Sequence, residues 1–520
     1  HMMPAPGLGT LKNILRKTGG VSNTDLQNKR YSEFKDHIVT LAQENDKVIF
    51  VSGHEHSMQY LIEDNLYQII SGAGSKTTAT RNVGSGHFSY GSPGYARLDV
   101  FEDGSSWVRF YSTEQQKVVY ETEVIKANES REIDYPDTFP AKVKASVYSS
   151  EETAKSSFYE SRWGKRYRKY FREEVEIPTV NLDTLFGGLI PSGKGGGHQS
   201  KSLRFEDSEG REYIMRALRK NAVQYLQAVV FTDQYVTPDF EGTKTEALVM
   251  DAFTASHPYA PFTMSDLSKA VGVFYTTPQL FYVPKQKAIG KFNDEFGDEI
   301  YMIEERVADG HGDKAGFGYA NELISTYDML EKIRKNENHV IDQKAYIRAR
   351  LFDMVIGDWD RHQDQWRWAV FKENGQTIYR PFPRDRDQAF SLMDDGALMS
   401  TATFLVPPIR LLQSYEAELN DPKWFNVEPF PMDVALLTDT TKEDWDEQVL
   451  AIQNGLTNSV IDNAFLKFPK EVQDETIGVI REKLIGRRGN LKIISDDYFK
   501  IVNKYATVRG SDKDDWFEIE

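Results

Sequence analysis

The chain has 520 residues, of which 40% are hydrophobic and 12% aromatic, and its formal net charge is -16 at pH 7. This length predicts about three domains, and the composition excludes wholesale disorder. The acidic balance excludes nucleic-acid binding as the main function, because neutralising phosphates requires an excess of basic residues.

The absence of cysteine excludes disulfides and zinc–thiolate sites, and it fits a reducing cytosol or a bacterial envelope protein alike. The sequence shows no signal peptide and no run of about 18 apolar residues, so we predict no membrane-spanning segment. The opening residues HMMPAPGLGT resemble the remnant of an expression tag. The localisation therefore stays open, with a bacterial periplasm or envelope as our hypothesis.

The order of patterns along the chain predicts two domains and a linker. Residues 1–30 are rich in Pro and Gly and predict a loop. Residues 31–46 have the periodicity of an amphipathic helix, and residues 47–125 alternate short apolar runs with Gly-rich turns, as strands of a sheet do. The polar stretch 126–177 predicts a linker, followed by a second domain at 178–510.

The first candidate site is Gly-His-Glu-His at residues 53–56, directly after an apolar run. On an extended backbone, residues two positions apart point to the same side, so His54 and His56 could reach one metal ion or two adjacent ones. A pair of exposed histidines at the end of a strand would explain the same pattern.

Residues 30–125, with Gly-His-Glu-His followed by Ser-Gly-Ala-Gly and a closing hairpin, resemble the C-terminal end of calcineurin-like metallophosphoesterases similar to purple acid phosphatases. The resemblance implies that His54 and His56 are late metal ligands. The earlier ligand blocks of that family do not precede them, so we expect residues 1–125 to lack the N-terminal half of the domain. Because a binuclear site needs more ligands, we expect a divalent metal there only if the missing ligands are present, and we expect phosphoesterase activity to be lost.

Three consecutive glycines separate two predicted strands: Gly195, Gly196 and Gly197. Residues 188–194 fit the spacing of a phosphate-binding loop, but Gly195 stands where that loop requires Ser or Thr. We therefore predict a flexible turn whose backbone N–H groups could approach a triphosphate closely. Lys201 begins the following strand and is a further candidate ligand, and the next strand would direct Arg216 into a cleft beneath the turn.

Two further segments each allow two interpretations. The segment YMIEERVADG at 301–310 could supply a hinge between two lobes, with Glu304 or Glu305 near an adenine pocket, or it could be an ordinary strand end. The basic and aromatic stretch SRWGKRYRKYFREE at 161–174 fits a solvated or interdomain face, or an anion site.

The strongest signal is a group of acids around a predicted β-hairpin: Asp358, Asp360, Asp364, Asp385 and Asp387. These carboxylates would repel one another unless cations were present. Phosphoryl transfer uses one carboxylate that faces the acceptor hydroxyl and further oxygen ligands that hold magnesium on the phosphates. A turn of ordinary salt bridges explains the same pattern, with the interspersed arginines as partners: Arg361, Arg367, Arg384 and Arg386.

The sequences Asp-Arg-His at 360–362 and Pro-Arg-Asp-Arg-Asp at 383–387 resemble the catalytic loop and the metal-binding segment of CotH-type atypical kinases. The resemblance covers residues 185–400 and implies a two-lobed kinase-like fold. It also implies that Asp360 is the catalytic residue and Asp385 a magnesium ligand, with Asp387 as its neighbour.

In the same resemblance, Arg216 occupies the position of the phosphate-binding Lys of kinases. Gln365 occupies the position of their metal-binding Asn. Either a weakened kinase or a nucleotide-binding pseudoenzyme fits these departures. We predict an α+β multidomain protein that binds ATP with Mg or Mn and transfers a phosphoryl group to an unidentified acceptor. The alternatives are a metal-dependent phosphohydrolase with a non-catalytic nucleotide-binding or scaffold module, and an envelope scaffold that uses the kinase-like fold for binding.

Overall fold

The computed structural model describes residues 29–43, 47–63, 65–127, 133–196, 199–232 and 234–505, and single residues between and after these ranges. The chain divides into two compact units, formed by residues 1–133 with 223–241 and by residues 134–222 with 242–520. Among the helices of the described ranges, none combines the length and the apolar character needed to cross a bilayer.

The first unit is built mainly from strands. Its elements before residue 133 are α1 (Lys29–Gln43), β1 (Ile49–Ser52), β2 (Met58–Glu63), β3 (Leu66–Ser71), β4 (Gly86–Tyr90), β5 (Gly94–Val100), β6 (Ser106–Ser112) and β7 (Lys117–Ile125). Strand β3 pairs in parallel with β1 and forms an antiparallel hairpin with β2, whose other edge carries β4. Strands β5 to β7 form a separate antiparallel sheet. The apolar core joins Met58 and Tyr60 of the first sheet to Phe110 of the second.

The second unit contains several sheets and a larger set of helices. Its strands are β8 (Lys142–Ala145), β9 (Val175–Pro178), β10 (Ile190–Lys194), β11 (Ser202–Glu206), β12 (Glu212–Ala217), β13 (Gln279–Val283), β14 (Glu299–Glu305), β15 (Leu323–Ser325), β16 (His339–Ile341), β17 (Trp366–Glu373) and β18 (Gln376–Pro383). Its longer helices are α2 (Ser157–Trp163), α3 (Lys244–Phe253), α4 (Met264–Val271), α5 (Thr326–Lys335), α6 (Gln343–Ile356), α7 (Ala397–Leu405), α8 (Phe430–Leu436), α9 (Lys442–Gly455), α10 (Asn458–Phe465) and α11 (Glu475–Val502). Shorter helices of the chain are Ser150–Thr153, Arg168–Arg172, Ala222–Tyr225, Leu226–Val230, Thr237–Phe240, Asn293–Phe296 and Pro422–Phe425.

Two parts of the second unit position the candidate site. In the strand-rich part, β10, β11, β12, β14 and β13 form one antiparallel sheet in that order. One face of this sheet is buried in its own apolar core, which includes Met215 and Tyr301. In the helical part, α6, α9 and α11 pack with the β17–β18 hairpin around a larger core that includes Leu351, Trp366 and Trp445.

Local signals explain the elements that carry the acids. Helix α6 begins after Asp342, whose carboxylate accepts a hydrogen bond from the Ala345 N–H, and it ends at Gly357 in the left-handed conformation. The predicted hairpin is confirmed, because β17 and β18 pair antiparallel and the chain reverses at Asn374 and Gly375, both with positive φ. An Asn-Gly turn of this kind matches the twist of the two strands.

The linker predicted over 126–177 differs from the structure. Residues 128–132 lie outside the described residues, but β8 and β9 pair antiparallel and the second unit begins at residue 134. The side chains of Tyr148, Tyr167 and Phe171 are buried in its core. Polar composition was misleading here because a few inward-facing aromatic rings supply the buried area, while the residues between them face solvent.

The basic and aromatic stretch at 161–174 is divided. Four of its basic residues are exposed, as a solvated face predicts: Arg162, Lys165, Lys169 and Arg172. The other two reach a buried carboxylate. Arg168 donates to the Asp251 carboxylate at 2.6 Å, and Arg166 lies 3.2 Å from the same group. The Tyr159 hydroxyl also donates to Asp251, at 3.0 Å. These two arginines are therefore neither a solvated face nor an open anion site.

Candidate active site

A cleft of about 680 Å³ of non-protein space, open to solvent, lies beside the sheet of the strand-rich part. Its lining includes an apolar set and a charged set: Ile214, Met264, Tyr275, Met302 and Val307, and Arg216, Glu304, Arg384, Asp385 and Arg386. Small-ligand pockets of this size typically combine apolar walls with a small number of charged groups, and this cleft is more highly charged because Glu305 and Arg306 also line it. The residues of the predicted hairpin and of the predicted sheet therefore meet at one concave surface.

Strand alternation places Arg216 in this cleft. Tyr213, Met215 and Ala217 point into the core of the strand-rich part, so Ile214 and Arg216 point to the opposite face, as predicted. The guanidinium of Arg216 donates from one Nη to the Asp385 carboxylate at 2.5 Å. Its Nε is buried and has no hydrogen-bond partner among the described residues. Arg216 thus retains a donor for a further acceptor.

Asp385 follows β18 and has a left-handed backbone, with φ at +48°. Few residues other than Gly adopt this conformation, and Asp is among those that tolerate it. Burial would raise the pKa of Asp385, but the positive charges of Arg216 and Lys220 outweigh burial and lower it to about 2. The carboxylate is therefore ionised throughout the physiological range.

Asp387 forms an ion pair with a second basic side chain. Its carboxylate contacts the ammonium group of Lys220 and accepts a hydrogen bond from the Gln388 side chain at 2.9 Å. Lys220 lies three residues after β12 and four residues after Arg216. Sequence reasoning did not select Lys220; its spacing from Arg216 was the available signal. Both acids after the hairpin are thus paired with cations from the strand-rich part.

Asp360 lies in the turn after α6 and is half-buried. It makes no hydrogen bond or ion pair to any other residue that the structure describes. Burial raises the pKa of its carboxyl group, the charges of Asp387 and Asp385 raise it further, and the value is about 6. Asp360 is therefore close enough to both acids to feel their charge, and it is the one of the three that lacks a paired cation in the described part of the chain.

Arg361 ties the turn of Asp360 to the segment of Asp385. It is fully buried, its Nε lies 3.1 Å from the Asp353 carboxylate, and it also contacts the Asp358 carboxylate. A further N–H of Arg361 donates to the backbone carbonyl of Arg384, directly before Asp385. This network holds both acidic segments on the end of α6.

The alternative of a salt-bridged turn is therefore correct for part of the cluster. Asp358 is paired with Arg361, and Arg386 approaches Asp353 at 3.4 Å. Arg367 donates to the carbonyl of Trp366. The arginines of the turns do not pair with Asp360, Asp385 or Asp387 in the described structure, and Asp385 and Asp387 pair with cations of the strand-rich part.

Glu304 lies at the end of β14 and lines the cleft, as does Glu305. The Glu304 carboxylate accepts a hydrogen bond from the Thr276 hydroxyl at 2.5 Å. Burial raises its pKa, against the lowering effect of Arg216. Glu305 pairs with Lys314 at 2.7 Å. The segment predicted as a hinge thus borders the cleft on its apolar side.

Lys201, which was predicted as a nucleotide ligand, lies outside the lining of this cleft. Its backbone carbonyl accepts from the N–H of Ala217, and its ammonium pairs with Glu299. The described residues that line the cleft do not include it. The sequence alone does not indicate that Lys201 pairs with Glu299, because the two residues meet only through the packing of the sheet.

The Gly-rich turn is described in part. Gly195 donates its N–H to the Ser202 carbonyl at 2.8 Å, and a Cβ at this position would lie 2.1 Å from the Ser202 hydroxyl oxygen. The turn thus requires Gly195 for close packing, whereas Gly196 faces open space. Neither is among the described residues that line the cleft. Gly197 lies outside the described residues.

Gln365, predicted as a metal ligand, closes the turn before β17. Its carbonyl accepts from the N–H of Arg384 at 2.8 Å, so it is adjacent to the segment of Asp385. Its side chain makes no hydrogen bond within the described ranges. The amide oxygen stays a candidate ligand.

The spacing argument for His54 and His56 assumed an extended backbone, and the structure contradicts that assumption. After β1 the chain turns at His54, whose φ is +70°, and the N–H of Glu55 donates to the Gly53 carbonyl. His54 is exposed and His56 half-buried. Across the described residues, no group of three or more His, Asp or Glu side chains is arranged to hold a metal ion.

Comparison with known proteins finds no matching family model and no matching curated protein. Solved structures show slight similarity, and three of them illustrate its extent. GAP50, described as the anchor in the inner membrane complex of Plasmodium, is 19% identical, with 21% of this chain and 35% of that chain covered and a TM-score of 0.17. The present chain thus spans about a third of that protein's length.

The other two structures cover the larger share of the chain. The Helicobacter pylori proinflammatory kinase CtkA is 12% identical, with 63% of this chain and 99% of that chain covered and a TM-score of 0.30. HipA of a Shewanella oneidensis MR-1 toxin–antitoxin system, solved with HipB and operator DNA, is 11% identical, with 60% and 66% covered and a TM-score of 0.28. Similarity at this level does not indicate a function for this chain. A function has to be inferred from the residues of the cleft.

Proposed function

We propose that the second unit binds a nucleoside triphosphate with a divalent cation in this cleft and transfers a phosphoryl group to a hydroxyl acceptor. The observation that carries the proposal is the meeting of Arg216 and Asp385, which are 169 positions apart in the sequence, at 2.5 Å on the wall of one cleft. Phosphoryl transfer requires a cation for the phosphates and a carboxylate for the metal, both within reach of the same polyphosphate. This pair supplies both groups.

The oxygen donors around Asp385, which lines the cleft, fit magnesium or manganese that arrives with phosphates. Asp385 and Asp387 offer carboxylate oxygens, and Gln365 offers an amide oxygen. Mg²⁺ at nucleotide sites is usually held by one or two carboxylates together with phosphate oxygens, so a standing cage of three acids is not required. When bound, the cation would neutralise charge on the transferred group.

The remaining groups of the cleft would bind the nucleotide. The apolar walls formed by Ile214, Met302 and Val307 would enclose the base. The guanidinium of Arg216, which lines the cleft, would bind the phosphates. A guanidinium binds phosphate oxygens in a fixed planar geometry, so the replacement of Lys by Arg is compatible with this role.

Asp360 would act on the acceptor. Because the pKa of its carboxyl group is raised to about 6, it is mainly ionised at neutral pH but is a stronger base than an exposed Asp. It would accept the hydrogen bond of the acceptor hydroxyl and take its proton as the new oxygen–phosphorus bond forms. Arg361 would hold the turn of Asp360 against the segment of Asp385.

The test separates binding from transfer. ATP binding with Mg²⁺ is measured by calorimetry, and transfer of labelled γ-phosphate to water or to the chain itself is measured in parallel. Asp385→Asn should weaken Mg-dependent binding by about tenfold or more, because it removes a metal ligand. Asp360→Asn should leave binding nearly unchanged and slow transfer by about 10²–10⁴-fold, the usual contribution of a general base.

Asp364 provides the matched control, since it is an exposed acid in the same turn. Asp364→Asn should leave both measurements unchanged. Full transfer by the Asp360 variant would contradict the assigned base, and undiminished Mg-dependent binding by the Asp385 variant would contradict the metal site.

A nucleotide-binding domain without transfer is the second candidate. The departures at Arg216 and Gln365 favour it. It predicts that the unmodified chain binds nucleotide, that Asp385→Asn weakens binding, and that no labelled phosphate is transferred under any condition.

A further inference from the structure

Two ion pairs join the end of β12 to the segment after β18, and one of them, Arg216 with Asp385, lines the cleft. Arg216 meets Asp385 and Lys220 meets Asp387, so two cations from the end of β12 face two acids from the segment after β18. A second cavity of about 490 Å³ is bordered by all four residues. The arrangement is electrically balanced, with two positive and two negative side chains.

This balance opposes the binding of a metal ion alone. A dication that approached Asp385 and Asp387 would have to displace an ammonium and a guanidinium that already neutralise them. Asp360 is a further acid close enough to feel both charges, and burial together with these neighbours disfavours a negative charge there by raising its pKa. The described residues place no third His, Asp or Glu side chain with these two acids to hold a metal ion.

A polyphosphate changes the balance. Its negative oxygens can take over the donors of Arg216 and Lys220, and the two carboxylates are then left without their cations. Arg216 can begin this exchange while its pair is still in place, because its side chain lines the cleft and is 22% exposed. Freed carboxylates and phosphate oxygens together form the oxygen-rich site that Mg²⁺ prefers.

We infer that Lys220 is a second phosphate-binding cation and that the two ion pairs make metal binding depend on nucleotide. The inference rests on the proposed function, because it concerns the same nucleotide. It assigns the order of events: the anion binds first, and the metal enters a site that the anion has opened. By thermodynamic linkage, a bound metal must then increase nucleotide affinity by the same factor.

The experiment measures two affinities of the whole chain by calorimetry. One is the affinity for ADP in the presence of a chelator, and the other is the affinity for Mn²⁺ in the absence of nucleotide. Lys220→Gln should weaken ADP binding by about tenfold and tighten Mn²⁺ binding by about tenfold, because it removes a phosphate ligand and exposes Asp387. Asp387→Asn should act in the opposite direction on ADP, since it releases Lys220.

The controls use the same residue types. Lys285 pairs with Asp294 at 3.0 Å near the end of β13, and Lys285→Gln should change neither affinity. Lys220→Arg should retain both affinities within a few fold, which also keeps the test usable if Lys220→Gln does not fold. Melting curves of each variant verify folding.

The outcomes separate the two proposals. If the unmodified chain binds no nucleotide with or without metal, the proposed function fails. If it binds nucleotide but Lys220→Gln lowers both affinities or alters neither, the nucleotide site stands and the role of Lys220 is overturned. Tight Mn²⁺ binding to the unmodified, nucleotide-free chain would also overturn the inference.

Discussion

Both units contain a pair of like, ionisable residues separated by one position: His54 and His56 in the first, Asp385 and Asp387 in the second. In the first unit the pair lies on a turn, and the described residues add no further ligand to it. In the second unit each member is met by a cation from a distant strand end. Spacing alone therefore does not make a site, because a second segment must bring complementary charge.

The surroundings of the two pairs also differ in how they are held. The segment of Asp385 is anchored through the carbonyl of Arg384 to a buried network on α6. The turn of the histidines is held by backbone contacts, including the Ser57 carbonyl, which accepts from the N–H of Gly72 at 3.0 Å. A charged network and a backbone turn should respond differently to substitution, and four experiments test this difference.

The largest effect should follow Arg361→Ala. This change leaves the buried Asp358 carboxylate without its partner and removes one of the arginines that contact Asp353, and breaking a buried ion pair from one side costs about 3–5 kcal/mol. Thermal and urea unfolding of the second unit measure the loss. Arg367→Ala is the matched control, since its guanidinium donates only to backbone carbonyls, and it should cost far less. Equal losses would show that the network does not anchor the site.

The next effect concerns the turn of the histidines. A Cβ on Gly72 would lie 1.8 Å from the Glu55 carbonyl oxygen, so Gly72→Ala must displace this turn and should cost about 2–3 kcal/mol. Gly74 has no atom within 4 Å of its Cβ position, and Gly74→Ala should have little effect. Unfolding midpoints of the two variants compare them directly. A stable Gly72 variant would mean that the turn is not fixed by this contact.

A smaller effect, of opposite sign, should follow Asp360→Asn. The folded state raises the pKa of Asp360 from 3.8 to about 6, so folding favours its protonated form. The stabilisation is complete below about pH 4 and is lost as pH rises through about 6. The Asn variant avoids that loss and should be more stable by about 1–2 kcal/mol at pH 8, after allowance for solvent screening.

Unfolding at pH 4 and at pH 8 provides the measurement for Asp360→Asn. The two proteins should differ at pH 8 and converge at pH 4, while Asp364→Asn should show no such divergence. A difference that is constant with pH would exclude titration of Asp360 as its cause.

The smallest effect should follow the joint change of His54→Asn and His56→Asn. Asn tolerates the left-handed backbone at position 54, and substitutions at such partly exposed sites usually stay within about 0.5 kcal/mol. Hydrolysis of a generic phosphomonoester with Mn²⁺ should be absent or unchanged by the substitutions. Robust hydrolysis that disappears in the double variant would restore the metallophosphoesterase interpretation for residues 1–125.

Several features followed from the sequence because their causes are local. The alternating apolar residues and the Asn-Gly pair predicted the hairpin of β17 and β18. Gly357 predicted the end of α6. The direction of Arg216 followed from the two-residue period of a strand. In each case the signal and the structure lie within a few residues of each other.

The tertiary structure alone decided which charges meet. Nothing near Asp387 in the sequence indicates Lys220, and nothing near Asp358 distinguishes its buried pairing with Arg361 from the unpaired position of Asp360. The local sequence did not indicate the burial of Tyr167 and Phe171 either, because they lie in a polar segment. Electrostatic and apolar contacts between distant segments depend on how whole elements pack, because the energy of a charge is set by its neighbours in space. Local sequence therefore determined the strands and turns that present Arg216 and Asp385, and packing determined that they face one another.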